Sequence, residues 1–189
     1  MALTSIALCS RALLKIGART IASFDEGTAE AEVAANLYPS IRDAVLSSHP
    51  WSFATGQASL ALLAAEPVAD FAHAHQLPTD FLRVLSAGVS GRGRGVMYRI
   101  VENRLHSDSG DITLTYVFRP DERTFPPFFD QMLIASLAAE FCLPLTESTA
   151  RAEFLVRLAE DEFRRAKLID GQQAVPKAIE DFPLVQVRS

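Results

Sequence analysis

The sequence predicts an α+β fold: a four-helix bundle with a small antiparallel β-sheet inserted between helices 2 and 3, followed by an extended C-terminal tail. Apolar residues recur three and four positions apart near both ends of the chain, and the period falls to two in the middle. The segment 174–189 contains two prolines and no helical stripe. We expect the bundle to comprise residues 1–50 and 125–172, the inserted β subdomain 51–124, and the tail 173–189.

Two amphipathic helices are predicted at the N-terminus. The first covers residues 3–16 and stops at Gly17, because glycine readily adopts the left-handed conformation that ends a helix. The second starts near Thr28, a favourable N-cap, and ends before Pro50. Pro39 lies inside the second pattern and removes one backbone donor, so we expect a kink or a restart there.

Residues 52–118 contain short runs rich in aromatic, β-branched and alternating residues, separated by Pro, Gly, Asn and Asp. This pattern predicts antiparallel strands. Asn103 is a turn signal, and so is the run 108–110. A meander of neighbouring strands is therefore expected from residues 97–101, 104–106 and 111–118.

Helical spacing returns after residue 125. The pair Pro126-Pro127 suits the first turn of a third helix, which Pro144 is expected to close. Thr146 and Ser148 are candidate caps for a last long helix, and Gly171 ends its pattern. The residues of this helix predicted to face the core are Ala152, Val156, Ala159, Phe163, Ala166 and Ile169.

The overall composition limits the possible functions. A net charge of -5 and a pI of about 5.4 argue against a protein that holds nucleic acid mainly by counterion release. Arg11 and Lys15 interrupt the N-terminal apolar stretch, so we expect neither a signal peptide nor a membrane span, and a cytosol-like compartment. Cys9 and Cys142 fall in apolar helical patterns, so a structural disulfide is not expected.

The run GRGRG at residues 91–95 could cradle a phosphate, contact nucleic acid, or turn a hairpin. A phosphate-binding loop requires a helix after the glycines, whereas a strand pattern follows at Val96. The sequence therefore favours a hairpin loop whose glycines permit positive φ angles. The alternative is a loop that contacts DNA or a partner protein through Arg92 and Arg94.

His73 and His75 lie two positions apart, on one face of a predicted strand, as a metal-binding pair would. No spacing identifies a third ligand, so surface or interface histidines are favoured over a metal site. A nucleophile elbow of the GxSxG type is also missing from the sequence. We therefore expect no catalytic, cofactor-binding or metal-binding residues, and a role in binding or assembly. The alternatives are a metal-binding enzyme that uses His73 and His75, or a small nucleic-acid-binding regulatory module.

The order of several segments resembles the head-to-tail adaptor proteins of tailed bacteriophages, called tail tubular protein A in short-tailed phages. The resemblance extends from about Leu8 to Ile169, and its most telling parts are PWSFA at 50–54 and LPTDF at 77–81. Further segments that carry it are LLKIG, SFDEGTAEAEVAANLYPSIRDAVLSSH, the YRIVENRL hairpin, DITLTYVFRPDE and FPPFFDQMLIASLAAEF. Related elements also occur in prophages and gene transfer agents.

The resemblance implies a structural virion protein rather than an enzyme. Such proteins form a ring, usually dodecameric, below the portal protein at the head-tail interface, after synthesis in the host cytoplasm. The implied partners are the portal protein, the next tail protein (a nozzle, tube or stopper), further copies of the chain, and genomic DNA that passes non-specifically through the lumen. No membrane is implied. A net acidic protein suits a channel in which DNA must slide.

The tail from residue 176 onward is a candidate partner-binding segment. It carries Phe182, Leu184, Val185 and Val187, and little else in the segment could bury these apolar side chains. We expect the tail to dock on the portal or on a neighbouring subunit, with strand addition as one possible mode.

Overall fold

The computed structural model describes residues 3–89 and 92–173. The helices in these residues are α1 (Ser5–Ile16), α2 (Ala29–Ser48), α3 (Pro127–Thr146) and α4 (Thr149–Gly171). The strands are β1 (Thr55–Ser59), β2 (His73–Gln76), β3 (Phe81–Gly88), β4 (Arg99–Val101), β5 (Arg104–Ser107) and β6 (Thr113–Phe118). Short 3-10 helices lie at Ser52–Ala54 and Glu122–Thr124.

Local capping sets the helix boundaries, and most of the predicted ends are confirmed. The Thr28 hydroxyl accepts a hydrogen bond from the Ala31 N–H at 3.2 Å and begins α2. Gly17 ends α1 with φ of 77°, in the left-handed region. Ser148, one of the candidate caps, begins α4 by accepting from the Arg151 N–H.

Helix α3 lies at the centre of the helical part and packs against α1, α2 and α4. Its apolar residues are spread around the helix because three other helices pack against it, while Gln131 and Glu140 are exposed. Of the described helices, α3 is the one long and apolar enough to cross a membrane by length and composition, with a mean hydropathy of 1.4. Its place among the other helices accounts for this composition. Its buried residues are Phe129, Asp130, Met132, Leu133, Ile134, Ala135, Leu137, Ala138, Ala139, Phe141 and Cys142.

Neither of the prolines inside the helices interrupts its helix. Helix α2 runs through Pro39 without a restart, and α3 continues past Pro144 to Thr146. A proline removes one helical hydrogen bond, and the packing of α2 against α3 offsets that local cost. The predicted end of the third helix at Pro144 is therefore wrong by two residues.

The predicted fold class, a four-helix bundle with one small sheet inserted between helices 2 and 3, is wrong. Within residues 3–89 and 92–173, the strands follow the N-terminal helices and form two separate three-stranded antiparallel sheets. The first sheet has the strand order β1-β6-β3, and the second has the order β2-β5-β4.

Both faces of the first sheet contribute residues to a core, which explains why a single small insert does not describe the structure. Val117 and Leu85 belong to the core built by the helices. Leu114 and Tyr116 point to the opposite face, into a second core that includes Leu105 of the second sheet. The molecule is therefore layered as helices, first sheet and second sheet.

The predicted meander is correct for one hairpin and wrong for the next strand. Strands β4 and β5 are joined at Glu102 and Asn103, with φ of 49° and 58°, as in a tight hairpin turn. Strand β6, however, pairs with β1 and β3. Strand β5 already has β2 on one side and β4 on the other, so it has no open edge for β6.

The junction between α2 and β1 ties the C-terminal end of α4 to the sheets. Asp170 is buried, and its oxygens accept from the Ser52 N–H, at 3.1 Å from each oxygen, and from the Ser52 hydroxyl, at 2.7 Å. The neighbouring Trp51 is fully buried, and its indole N–H donates to the Val45 carbonyl at 3.1 Å. Its ring packs edge-on against Phe129, with centroids 5.2 Å apart.

A second polar network joins α2 to the segment after β6. Arg119 donates two hydrogen bonds to the Asp43 carboxylate, and Arg42 donates to Asp43 at 3.0 Å and to Glu122 at 2.8 Å. Tyr38 also donates to Glu122, at 3.1 Å. Burial alone would raise the pKa of Asp43, but the hydrogen bonds from the two arginines lower it overall.

The predicted core face of α4 is partly wrong. Val156 is 47% exposed, whereas Leu155 and Ala166 are buried. Leu155 and Ala166 are three turns apart on one line, and Val156 is rotated by about 100° from that line. Helix α4 therefore packs on α3 through a narrower stripe than the spacing of its apolar residues suggests.

We predict that Asp170→Ala lowers the free energy of unfolding by about 1–3 kcal/mol, because the hydrogen bonds from the N–H and hydroxyl of Ser52 to the buried carboxylate are lost. Urea unfolding followed by Trp51 fluorescence measures the change. The matched control is Asp161→Ala on the exposed side of the same helix, where the effect should stay below about 0.5 kcal/mol. Equal effects of the two substitutions would show that the Ser52 contact contributes nothing.

Candidate interaction surfaces

The glycine-arginine loop lies against the first sheet. Residues 90 and 91 are outside the described part of the chain, and Arg92 begins the described part of the loop. The Ser86 hydroxyl donates to the Gly93 carbonyl at 2.5 Å, and the Thr115 hydroxyl donates to the same oxygen at 3.3 Å. Gln57 in turn donates to the Thr115 hydroxyl at 3.2 Å. These contacts fix the middle of the loop on β3, β6 and β1.

The glycines serve close approach as well as turning. A Cβ atom on Gly88 would overlap the Arg92 carbonyl oxygen. A Cβ atom on Gly93 would lie 2.6 Å from the amide nitrogen of Gln57. Gly95 has φ of 100°, a conformation that side chains rarely allow, so the predicted turning role is met at this position.

The two arginines of this loop lie at an open groove. Arg92 and Arg94 are both exposed and line an open groove of about 610 Å³ with Ser86 and Thr115. The hydroxyl donors of the groove are occupied by the Gly93 carbonyl. Since no α-helix follows the loop, its backbone does not offer the N–H cradle of a phosphate site. What remains is a local pair of positive charges suited to loose contact with an anion.

The two candidate metal-binding histidines differ in burial. His75 is fully buried, and its Nε2 lies 2.9 Å from the Ser109 carbonyl oxygen, so this nitrogen donates a proton and is not free to bind a metal. His73 is half-buried beside Gly110. Across residues 3–89 and 92–173, no group of three or more His, Cys, Asp and Glu side chains is placed to hold a metal ion. The geometry therefore gives the metal-binding alternative no support.

An apolar groove lies between the end of α3 and the first half of α4, and we call it the α4 groove. Its volume is about 580 Å³, and its surface is more apolar than polar. Leu143 and Val156 contribute large side chains that are about half exposed. The lining residues are Leu143, Thr149, Ala152, Glu153, Val156, Arg157 and Glu160.

Sequence reasoning missed the α4 groove because it assigned Val156 to the core. Val156 is followed directly by Arg157 and lies between Glu153 and Glu160 along the helix. An apolar residue flanked by charges at the edge of a stripe is a signal that could have indicated partial exposure. The structural reason is the narrow contact of α4 with α3.

The predicted partner-binding residues of the tail, Phe182, Leu184, Val185 and Val187, lie outside the described residues. The described chain ends at Gln173, whose N–H donates to the Asp170 carbonyl at 2.9 Å. The tail therefore starts next to the junction formed by Asp170 and Ser52.

One buried acidic group has no evident structural partner for one of its oxygens. Asp130 lies in the first turn of α3 and is 8% exposed, and its Oδ1 has no hydrogen-bond partner among the described residues. Burial raises the pKa of Asp130 to about 6, although the Arg11 guanidinium opposes part of the shift. The folded protein therefore holds this proton more tightly than the unfolded chain does.

This pKa shift fixes the sign of a pH effect. A carboxyl group whose pKa rises from 3.8 to about 6 on folding stabilises the fold below pH 4, and that contribution is lost as the pH rises to 6. We predict that Asp130→Asn becomes more stable relative to the natural chain by about 1–3 kcal/mol between pH 4 and pH 7. Urea unfolding at several pH values measures this difference.

The control for this prediction is Glu140→Gln, on an exposed position of the same helix. Its stability relative to the natural chain should change little over the same pH range. If the difference between Asp130→Asn and the natural chain is constant from pH 4 to pH 7, the Asp130 carboxyl does not titrate as proposed.

Comparison with known proteins does not assign the chain to a family: no protein-family model matches it, and no curated protein matches it significantly.

Proposed function

We propose that the chain is a head-to-tail adaptor of a tailed bacteriophage or a related particle. The observation that carries the proposal is the ordered resemblance of segments from about Leu8 to Ile169. A resemblance that extends over nearly the whole chain concerns the complete framework, not a single motif. In this proposal the protein is a structural component of the virion and has no catalytic role.

The segments with the strongest resemblance have clear packing roles. This supports the view that they belong to the structural framework of the fold. PWSFA at 50–54 contains the buried Trp51 and the serine that binds Asp170. In LPTDF at 77–81, the Asp80 carboxylate accepts from the Tyr116 hydroxyl at 3.2 Å, and the Asp80 carbonyl accepts from the Arg119 N–H at 2.9 Å. Residues of this kind fix how the layers meet.

The exposed features suit a subunit that contacts several partners. A subunit of a heterologous ring needs two unlike surfaces, one for each neighbour. The α4 groove lies on the helical part of the molecule, whereas Arg92 and Arg94 lie on the first sheet. The proposed partners are the portal protein, the next tail protein, and further copies of this chain. Genomic DNA would pass through the lumen, where the net charge of -5 disfavours tight retention.

We predict that the purified chain enters a ring when it is mixed with its portal protein. The expected result is a portal complex whose added mass corresponds to a whole ring of chains, because binding to the portal raises the local concentration of subunits. Native mass spectrometry of the mixture measures the number of chains. A chain that stays monomeric at every portal concentration contradicts the adaptor function.

The arginines of the glycine-arginine loop provide a second test. We predict that particles assembled with Arg92→Ala and Arg94→Ala retain less DNA, because the exposed charges of the loop are lost while its hydrogen bonds remain. Nuclease-protected DNA per particle measures retention. The control is Arg19→Ala, an exposed arginine in the connector between α1 and α2. Unchanged assembly and retention would mean that Arg92 and Arg94 only keep the loop soluble.

A further inference from the structure

We propose that residues 184–187 of the C-terminal tail add a strand to the outer edge of β1 in the same chain, with Gln186 opposite Gln57. The inference goes beyond the proposed function, because it concerns the isolated chain and needs no portal protein. The occupant is a named segment of this chain, and the contact is backbone pairing at the edge of a sheet.

Strand β1 directs half of its backbone groups away from the first sheet. It lies at one end of that sheet and pairs with β6 alone. The Leu60 N–H donates to the Ile112 carbonyl at 2.9 Å, and these two residues continue the register of β1 with β6. Because hydrogen-bonded pairs alternate in an antiparallel ladder, Gly56 and Ala58 direct their backbone groups to β6. The residues that direct theirs outward are Thr55, Gln57 and Ser59.

The described residues leave the outer edge of β1 unpaired. Within residues 3–89 and 92–173, no hydrogen bond joins the outward backbone groups of β1 to the backbone of another segment. The side chains of Gln57 and Ser59 are exposed, so the edge lies at the surface of the molecule. An extended segment can therefore pair with β1 without breaking any backbone hydrogen bond of the described fold.

The other three edges of the two described sheets are protected in ways that the edge of β1 is not. Residues 61–63 border β2 and exchange hydrogen bonds with Ala74 and Gln76. Strand β3 has two register shifts and carries Arg83, and β4 has only three residues, one of them Arg99. Strand β1 has no charge, no proline and no register shift. Since charges, bulges and short length are what keep an edge from pairing, β1 is the edge suited to accept a strand.

The tail leaves the described part of the chain close to β1. The described chain ends at Gln173, three residues after Asp170, whose carboxylate binds Ser52. Strand β1 begins three residues after Ser52. The linker 174–183 spans up to about 33 Å, about twice the length of a five-residue strand. The segment can therefore lie along its own β1 without being stretched, and the short linker gives it a high effective concentration there.

The two faces of β1 differ in polarity. Ala58 packs against the second core, which includes its cross-strand partner Leu114. Gly56 lies on the same face, two positions away. Gln57 lies on the opposite face and is exposed. The face of an added strand that lies beside Ala58 should therefore be apolar.

The segment 184–187 has an apolar face of this kind. Val185 and Val187 fall on one face of an extended backbone, and Leu184 and Gln186 fall on the other. Valine is among the residues enriched in strands. With Gln186 opposite Gln57, the two valines lie beside the small residues of β1 in either direction of the added strand. A shift by one residue would move both valines to the exposed face.

Occupation of β1 by the tail has a consequence for the free chain. An unpaired edge is a template for association with other chains. A tail that covers this edge prevents such pairing, and it must be released from β1 before it docks on any other partner.

Cysteine pairs in the full-length chain test the register. The test pair is Gln57→Cys with Gln186→Cys, equilibrated with reduced and oxidised glutathione, the latter taking up the electrons of the new disulfide. The native Cys9 and Cys142 are buried, and burial raises the pKa of Cys9 to about 12, so they react poorly. We expect a disulfide within one chain, with an effective concentration at least about tenfold above that of the control pair.

The matched control is Gln57→Cys with Val185→Cys. Val185 is one position away in the tail but lies on the other face of an added strand, where a disulfide to position 57 would be strained. Equal effective concentrations for the two pairs would show that the tail has no fixed register on β1, which overturns the proposal. Disulfides that form between chains would assign the strand to a neighbouring copy and overturn it as well.

Amide hydrogen exchange of the full-length chain, followed by NMR, tests the pairing without added cysteines. The N–H groups of Gln57 and Ser59 should exchange at least about tenfold more slowly in the natural chain than in a variant with Gln186→Pro and Val187→Pro, because proline removes the donors of the added strand. The control is Lys177→Pro in the linker, which should leave both exchange rates unchanged. Equal rates in the natural chain and in the double-proline variant would contradict the proposed strand.

Discussion

The contact between the Asp170 carboxylate and Ser52 is the interaction on which the arrangement of the layers depends. A carboxylate at the C-terminal end of a helix is disfavoured by the helix dipole, and burial adds a desolvation cost. The backbone and hydroxyl donors of Ser52 offset both costs only when α4 and the segment after α2 are correctly placed. The adjacent Trp51 then fills the space between helices and sheet. Because burial of the Asp170 carboxylate is tolerated only in this arrangement, the residue favours this arrangement of the layers over others.

Local signals in the sequence were sufficient to predict where most of the helices begin and end. Thr28 and Gly17 act through their own hydrogen-bonding and backbone preferences, so they mark helix ends wherever the chain lies in the fold. Pro144 was misleading for the opposite reason: the cost of a proline is local, but packing around α3 compensates it. Strand pairing is non-local. Thr55 pairs with Val117, and nothing in the neighbouring residues indicates that β6 joins β1 instead of β5.

The candidate surfaces were predictable to different extents. The strand after GRGRG was enough to argue against a phosphate cradle. The anchoring of Gly93 by Ser86 and Thr115 could not be foreseen, because it requires the β3–β6 pairing. The burial of His75 could not be predicted for a similar reason. Its contact with the Ser109 carbonyl depends on how the chain crosses between the two sheets. The exposure of Val156 depends on the rotation of α4 about its axis, which spacing alone fixes only to within one position.

The central position of α3 has a consequence for biosynthesis. Helices α1 and α2 leave the ribosome long before α3, the helix against which both mainly pack. Ser52 likewise has no hydrogen-bond acceptor until Asp170, 118 residues later in the chain, has been synthesised. A nascent or prematurely terminated chain therefore has neither a completed core nor the α4 surface. Under the proposed assembly, only chains that have been translated almost to their end can be incorporated, so the order of synthesis itself excludes defective subunits from the particle.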